Sequence, residues 1–359
     1  MSLPVNRSIR KHVPVTHGGL SSIKTKISDI VDFSSNVSPA GAPRPVQVAL
    51  KNYLKYIENY PDQNSKTLLD SLQQYTGFNK SHIIVGNGAI EILYNFCNTF
   101  LQKKDVLIPV PTFGEYEAAS KLADSNLRFF KTMNLSQDVE SFSECIPKKG
   151  CVFICNPNNP TGQLISKKHL EFVIKIAKKR SSVVFVDECF IELVRNTNQS
   201  VISLVKKYDN LFVLRSLTKS FGLAGIRIGY AVTSKQTAEI LNRIKVPWSI
   251  NSLAQIAAIV ALQNKNHLVK SNLIIKKEYE FLLSKLSNID GIEMTPSSTN
   301  FILLKTKHDA TDLQKKLLKH KILVRNCKNF RGLDNHFIRI AIKSHKDNIK
   351  LIKALEATI

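Results

Sequence analysis

Short apolar runs recur through the middle of this chain of 359 residues, and they constrain its fold more than any other feature. The runs comprise residues 82–86, 105–110, 127–132, 151–156, 182–187, 211–216 and 226–232. Most are separated by segments with helical spacing. After Ser166, a suitable helix cap, apolar residues recur on one face at Leu170, Val173, Ile174 and Ala177. Strands that alternate with helices predict an α/β fold, with a mainly parallel sheet covered by helices on both faces.

The pattern changes after residue 252. A long helical stretch over about residues 253–286 precedes a strand-like segment at 300–305, a helix near 312–319 and strand-like segments at 322–325 and 337–342. Ser344 with Asp347 is suited to open the last helix. This order predicts a smaller α+β domain after the large one, in agreement with a chain too long for one small core.

The chain carries 51 Lys and Arg against 28 Asp and Glu, a formal net charge of +23. Such an excess is typical of nucleic-acid binding, so a non-enzymatic, nucleic-acid-associated protein is one alternative. The basic pairs are dispersed, however, and neither a long basic run nor a helix-turn-helix pattern is evident. We therefore expect solvated surface lysines, no nucleic-acid partner and a positive field that helps to attract anionic small molecules.

The six cysteines are Cys97, Cys145, Cys151, Cys155, Cys189 and Cys327. They form no Cys-x-x-Cys pair, and several lie in or beside apolar runs. We expect reduced core residues of a cytoplasmic protein and no metal site. No apolar stretch reaches the roughly 18 residues of a membrane span. The basic start of the chain is not followed by the apolar segment of a secretory signal.

A lysine flanked by residues that suit phosphate binding follows one of the predicted strands. Lys219 is preceded by Ser216 and Thr218, and Arg227 follows eight residues later. Hydroxyl groups and a guanidinium are suitable ligands for phosphate oxygens. The turn at residues 86–89 follows the first strand of the large domain and opens a helix, whose backbone N–H groups also suit a phosphate. A lysine between hydroxyl residues is common, but the full spacing is specific.

This spacing resembles the fold-type-I aminotransferase superfamily, which uses pyridoxal 5'-phosphate (PLP). The other landmarks of the superfamily occur in the expected order, from the Asn-Pro-Asn-Asn-Pro-Thr-Gly run at 156–162 to the end of the apolar run at Asp187. The resemblance implies that Lys219 forms the Schiff base and that Asp187 pairs with the pyridine nitrogen. It also implies that Asn159 hydrogen-bonds the ring oxygen of the cofactor.

The same resemblance implies further contacts. Gly88 and Ala89, with Ser216, Thr218 and Arg227, would hold the cofactor phosphate, and Phe113 would stack on its ring. Tyr60 matches a tyrosine that reaches the cofactor phosphate of the neighbouring subunit, so a homodimer is expected. Arg339 matches the arginine that receives the substrate carboxylate.

Within the superfamily two branches compete. Arg325 and Arg339, with Asn300-Phe301 upstream, are shared with histidinol-phosphate aminotransferases. Other segments are similar to the threonine-phosphate decarboxylases: His17-Gly18-Gly19, the run at 32–39 that contains Asn36, and residues 111–117 and 247–255. Phe190 stands where many aminotransferases have a tyrosine, as it tends to in the decarboxylase branch. Substrate phosphate is then expected at His17, Asn36 and Arg325, with Asn159 and Arg339 also contacting substrate.

The resemblance therefore predicts a decarboxylase that converts L-threonine O-3-phosphate into (R)-1-amino-2-propanol O-2-phosphate for the cobalamin nucleotide loop. L-Serine phosphate is an alternative substrate, because one methyl group discriminates by only about 1–3 kcal/mol. Histidinol-phosphate or related transamination is the alternative reaction. The predicted division is an N-terminal arm at 1–45 that joins the small domain and the active site, a large PLP-binding domain at 46–252 and a small domain at 253–359.

Overall fold

The computed structural model describes residues 7–23, 29–195 and 199–359. Its strands are β1 Val31–Asp32, β2 Ile83–Gly86, β3 Asp105–Val110, β4 Asn126–Lys131, β5 Cys151–Cys155, β6 Val183–Asp187, β7 Leu211–Ser216, β8 Gly229–Val232, β9 Ile292–Thr295, β10 Phe301–Thr306, β11 Ile322–Leu323, β12 Arg325–Asn326 and β13 Phe337–Ala341. Its α-helices are α1 Arg7–Arg10, α2 Arg44–Tyr53, α3 Lys66–Thr76, α4 Ala89–Phe100, α5 Glu115–Leu122, α6 Val139–Glu144, α7 Lys167–Lys179, α8 Leu217–Ser220, α9 Lys235–Arg243, α10 Ser252–Gln263, α11 Asn266–Leu286, α12 Ala310–Lys319 and α13 His345–Glu356.

A central sheet has the strand order β2-β8-β7-β6-β5-β3-β4. The pairs among β3 to β7 are parallel, and β8 runs antiparallel to both of its neighbours. Strands buried on both faces need apolar residues at every position, and β5 and β7 are buried throughout. The predicted runs and the mainly parallel sheet are confirmed.

Helices cover both faces of this sheet, and one apolar cluster lies on each face. On the first face α7 is positioned by its cap, since the Ser166 side chain accepts a hydrogen bond from the His169 backbone N–H. Its predicted apolar face is buried, as Leu170, Val173 and Ala177 show. The position and the burial of this helix are therefore as predicted.

The C-terminal region forms an antiparallel sheet of order β12-β13-β10-β9, with its own core shared with α11, α12 and α13. Strand β1 of the N-terminal segment pairs in parallel with β11, so Phe33 is buried in that core. The Ser344 side chain caps α13 by accepting from the Asp347 N–H. Residues 1–6 and 24–28 of the predicted arm lie outside the described residues.

Three details differ from expectation. The stretch at 253–286 is two helices, α10 and α11, separated at Asn264 and Lys265. The segment at 322–325 is divided between β11 and β12. Cys145 is exposed, so its expected core position is wrong, whereas Cys97 is buried.

The boundary after residue 252 stays a prediction. Helix α10, directly behind it, contacts α2 and α3, and its Ala254 and Ala258 belong to the core of the large sheet. Within the described ranges, no helix is long and apolar enough to cross a membrane.

Candidate active site

A cavity lies at the carboxyl edge of the large sheet, where ligands of such sheets bind. Its walls come from the N-terminal segment, the large sheet and the small domain. Twelve predicted site residues line it: His17, Asn36, Ala89, Phe113, Asn159, Asp187, Ser216, Thr218, Lys219, Arg227, Arg325 and Arg339. Phe190 lines it as well. Segments from both ends of the chain thus meet at one site.

Two predicted residues do not line this cavity. Gly88 lies directly behind its wall as the residue before α4. Tyr60 is 82% exposed, and its ring centroid lies 5.1 Å from that of Trp248. Its expected contact across a subunit interface stays a prediction.

Lys219 lies in α8, directly after β7. The Ser216 side chain caps this short helix by accepting from the Thr218 N–H, and the Ser38 N–H donates to the Lys219 carbonyl oxygen over 2.9 Å. Burial lowers the pKa of the Lys219 amine to about 8, and the positive charge of Arg339 acts in the same direction. The amine is therefore neutral more often near pH 8 than a solvated lysine is.

Asp187 ends β6 and is buried. Its Oδ2 accepts a 2.7 Å hydrogen bond from the Tyr116 hydroxyl, and its Oδ1 accepts a 2.9 Å bond from the Cys189 N–H. Burial raises the pKa of this carboxyl, while the two hydrogen bonds and the nearby Lys219 oppose the rise. A carboxylate held in this way can pair with a protonated ring nitrogen of a ligand.

A group of hydrogen-bond donors lies at the start of α4. Arg227 precedes β8, and because β8 is antiparallel its first residue lies at the carboxyl edge of the other strands. Gly88 has a φ of 77°, and a Cβ there would lie 2.4 Å from Arg227 Nη2. Ser216 Oγ and Thr218 Oγ1 lie 2.6 Å apart beside this group. A helix N-terminus, a guanidinium and two hydroxyls suit the phosphate of PLP.

Two arginines of the small domain are buried in the cavity wall. Arg339 donates through Nη1 to Asn159 Oδ1 and through Nη2 to the Ser34 carbonyl oxygen, over 2.8 Å in the second case. Burial lowers its pKa to about 10. Its Nε has no hydrogen-bond partner among the described residues. A buried cation with an unused donor suits an anionic ligand.

Arg325 lies directly across from Arg339 in the β12–β13 pair and is held by the N-terminal segment. Its Nη2 donates to the Thr16 carbonyl oxygen and to Asn329 Oδ1, each over 2.7 Å. Burial lowers the pKa of Arg325 as well. In the part of the chain that the structure describes, neither Arg325 nor Arg339 forms a salt bridge to a carboxylate.

The N-terminal segment adds two polar groups. His17 Nε2 lies 2.6 Å from Glu115 Oε1, and the ring centroids of His17 and Phe113 are 5.9 Å apart. Asn36 is 2% exposed, and its Oδ1 has no partner among the described residues. Asn36 therefore keeps an unused acceptor at the cavity.

Sequence reasoning missed the partners behind these residues, namely Tyr116, Glu115 and Ser34. Glu115 and Tyr116 lie in the segment at 111–117 that carried part of the resemblance, but no role was assigned to them. Their one signal is position, since α5 begins just after Phe113. A helix start at the carboxyl edge brings its first side chains to the cavity.

Comparison with known proteins gives the family. A relative from Caldanaerobacter subterraneus subsp. tengcongensis, named as a candidate threonine-phosphate decarboxylase, is 37% identical over 96% of this chain and 94% of its own. The histidinol-phosphate aminotransferase of Thermoanaerobacter pseudethanolicus is 38% identical over 90% of this chain and 92% of its own. The crystal structure of L-threonine-O-3-phosphate decarboxylase from Porphyromonas gingivalis is 28% identical, covers 91% of this chain and 99% of its own, and superposes with a TM-score of 0.84.

The architecture is that of the fold-type-I PLP-dependent transferases, as the resemblance predicted. The family model for class I and II aminotransferases matches residues 28–356. The cavity residues fit the cofactor of that family at both of its ends, with Asp187 at one and the donors around Arg227 at the other. This chain therefore belongs to the class I and II aminotransferases, a family of PLP-dependent enzymes.

Proposed function

We propose that this chain decarboxylates L-threonine O-3-phosphate to (R)-1-amino-2-propanol O-2-phosphate. The observation that carries the proposal is the pair of buried guanidinium groups, Arg325 and Arg339, which line one cavity without a carboxylate partner in the described chain. Two such cations suit a substrate with two anionic groups, a phosphate and a carboxylate. His17 and Asn36 line the same cavity and add donors for the phosphate.

Two further observations favour decarboxylation over transamination. Phe190 is buried beside the cavity, and its ring centroid lies 5.1 Å from that of Phe301. As a phenylalanine it supplies no hydroxyl where many aminotransferases have a tyrosine. The hydroxyl donor that a tyrosine would supply at this position is worth roughly 1 kcal/mol as a net hydrogen bond. The relative from Caldanaerobacter and the Porphyromonas structure, both named for threonine phosphate, match nearly the whole chain.

In the proposed reaction the arginines orient the substrate and Lys219 transfers a proton. PLP, when bound, withdraws electrons from the substrate bond that lies perpendicular to its ring. Arg339 and Arg325 orient the substrate by its two anions, so they decide which bond takes that position. In decarboxylation the bond between Cα and the carboxylate breaks, CO₂ leaves, and a proton goes to Cα. In this proposal the Lys219 amine delivers that proton.

Transamination of histidinol phosphate is the second candidate. It uses the same Lys219, Asp187 and Asn159, and a phosphate ester also fits Arg325. The relative from Thermoanaerobacter favours it at a similar level of identity. The two reactions differ in the bond that breaks, since transamination removes the hydrogen of Cα and keeps the carbon skeleton.

An isotope experiment separates the two reactions. The PLP-loaded enzyme is incubated with O-phospho-L-threonine in D₂O without any keto acid. Decarboxylation releases CO₂ and gives an amino alcohol phosphate with one deuterium at the carbon that carried the carboxylate, visible by NMR and mass spectrometry. Reaction that requires 2-oxoglutarate and releases no CO₂ would instead support the aminotransferase.

The substrate and the assembly are part of the same proposal. Comparison of kcat/KM for the phosphates of threonine and serine tests the preference for the methyl group. We also propose a cytoplasmic homodimer in which Tyr60, exposed in the single chain, contacts the partner's cofactor phosphate. Light scattering tests the dimer, and Tyr60→Phe should weaken PLP retention if the contact exists.

A further inference from the structure

Glu115 is a buried carboxylate directly behind His17, and it has no part in the proposed reaction. It opens α5 and is 6% exposed. Both of its oxygens are occupied, since Oε1 lies 2.6 Å from His17 Nε2 and Oε2 accepts a 2.5 Å hydrogen bond from the Tyr94 hydroxyl. His17 itself remains half exposed at the cavity.

The carboxylate of Glu115 is held in its ionised form. Burial alone would raise its pKa, but the hydrogen bonds from His17 and Tyr94 outweigh burial, and the pKa is lowered. A buried negative charge therefore lies within reach of a cavity that we propose to bind a phosphate. It would repel a dianion bound in that cavity.

His17 lies between Glu115 and the cavity, since it contacts the carboxylate and lines the cavity. Because its Nε2 is used by Glu115, Nδ1 is the ring nitrogen left for a ligand. The backbone beside it is held independently, since the Thr16 carbonyl oxygen accepts from Arg325 and Asn329, and the Gly19 N–H donates to Ser34 Oγ. Loss of the Glu115 contact would therefore free the ring while the arm stays attached.

We propose that Glu115 is a positioning residue that sets the specificity for phosphorylated substrates through His17. It fixes the imidazole by accepting from Nε2–H, so that Nδ1–H of the doubly protonated ring meets the substrate phosphate, and its charge makes phosphate binding depend on the presence of His17. The inference rests on the proposed phosphate site at His17. It does not depend on which bond of the substrate is then broken.

The test uses the PLP-loaded enzyme and two probes, O-phospho-L-threonine and L-threonine. Binding is measured from the change in cofactor absorbance on titration, so no turnover is needed. The variants are Glu115→Gln, His17→Ala and the double variant. The matched control is Glu117→Gln, which removes the same charge two residues later, where it pairs with Arg331 over 2.7 Å.

For Glu115→Gln we expect Kd for O-phospho-L-threonine to rise about tenfold, and for His17→Ala about 100-fold, the range of charge-assisted hydrogen bonds. Kd for L-threonine should change less than about twofold, and Glu117→Gln should leave both Kd values alone. The double variant should bind O-phospho-L-threonine more tightly than His17→Ala, because it also lacks the Glu115 carboxylate that repels the phosphate. A protein whose kcat falls with Kd unchanged would count against positioning.

Other outcomes overturn the inference. Equal weakening of both probes by Glu115→Gln would indicate a structural role, as would a double variant weaker than either single one. His17→Asn serves as a second variant if His17→Ala melts at a lower temperature. If O-phospho-L-threonine binds as expected but no CO₂ is released, the proposed decarboxylation fails and the role of Glu115 stands. If CO₂ is released but the variants weaken the two probes equally, the proposed decarboxylation stands and the role of Glu115 fails.

Discussion

The Tyr116 hydroxyl donates a 2.7 Å hydrogen bond to Asp187 Oδ2, so a buried residue of α5 supports the carboxylate at the end of β6. Tyr116 is itself held by Phe153, whose ring is stacked 5.1 Å away at an interplanar angle of 8°. Such a support restricts the orientation of the carboxylate before any ligand arrives. It also opposes the rise that burial causes in the pKa of Asp187.

Tyr116→Phe should therefore weaken cofactor binding. Without the hydroxyl, burial acts on Asp187 with less opposition, and the carboxyl binds a proton more readily. We expect Kd for PLP to rise about 10-fold to 100-fold, as for other hydrogen bonds to charged groups. The matched control is Tyr230→Phe, which removes a buried hydroxyl without a partner among the described residues. Equal effects of the two variants would contradict the prediction.

The lowered pKa of Lys219 predicts how the apoenzyme takes up PLP. The neutral amine is the nucleophile, and burial brings its pKa from 10.5 to about 8. The rate of uptake should rise with pH and level off above about 8, as measured by stopped-flow absorbance. Lys219→Ala should form no link to the cofactor that borohydride can reduce to a stable amine. A rate that still climbs towards pH 10 would show an ordinary solvated lysine.

Gly88→Ala should lose cofactor because the added methyl group displaces the Arg227 guanidinium, which we expect to bind the cofactor phosphate. The new Cβ would lie 2.4 Å from Arg227 Nη2, in a residue with φ of 77°. Gly77→Ala is the matched control, because Gly77 has φ of 72° and nothing within 4 Å of the added atom. Both variants should lose about 1–2 kcal/mol of stability from the left-handed backbone. PLP retention after gel filtration should fall in Gly88→Ala alone.

A buried ion pair joins the ends of two central strands. Arg215 Nε donates to Glu188 Oε2 over 2.8 Å. Arg215 directly precedes Ser216, and Glu188 directly follows Asp187. Arg215→Met leaves Glu188 without its charge partner, and the free energy of unfolding should fall by about 3–5 kcal/mol. Urea denaturation measures the loss. Lys315→Ala, which removes an exposed pair with Asp312, should change stability by less than about 0.5 kcal/mol.

The large sheet was predictable because its strands are buried on both faces, and burial selects continuous apolar runs such as residues 211–216. The position of Lys219 in the cavity was predictable because Ser216, Thr218 and Arg227, which line the same cavity, lie close to it in sequence. The break between α10 and α11 was not, since Asn264 and Lys265 interrupt the helix without Gly or Pro. Nor was the pair of His17 and Glu115, which are 98 residues apart, because no local pattern records a tertiary contact.

Strand β1 takes its place from the far end of the chain. The Phe33 N–H donates to the Leu323 carbonyl oxygen over 2.7 Å, and the Ala341 N–H donates to the Phe33 carbonyl oxygen over 2.8 Å. A ribosome adds about 5–20 residues per second, so the residues from Gly88 to Arg227 emerge well before these partners exist. The residues around Lys219 can thus fold with the large sheet first, and the N-terminal segment is fixed in place only after residues 323–341 have been made.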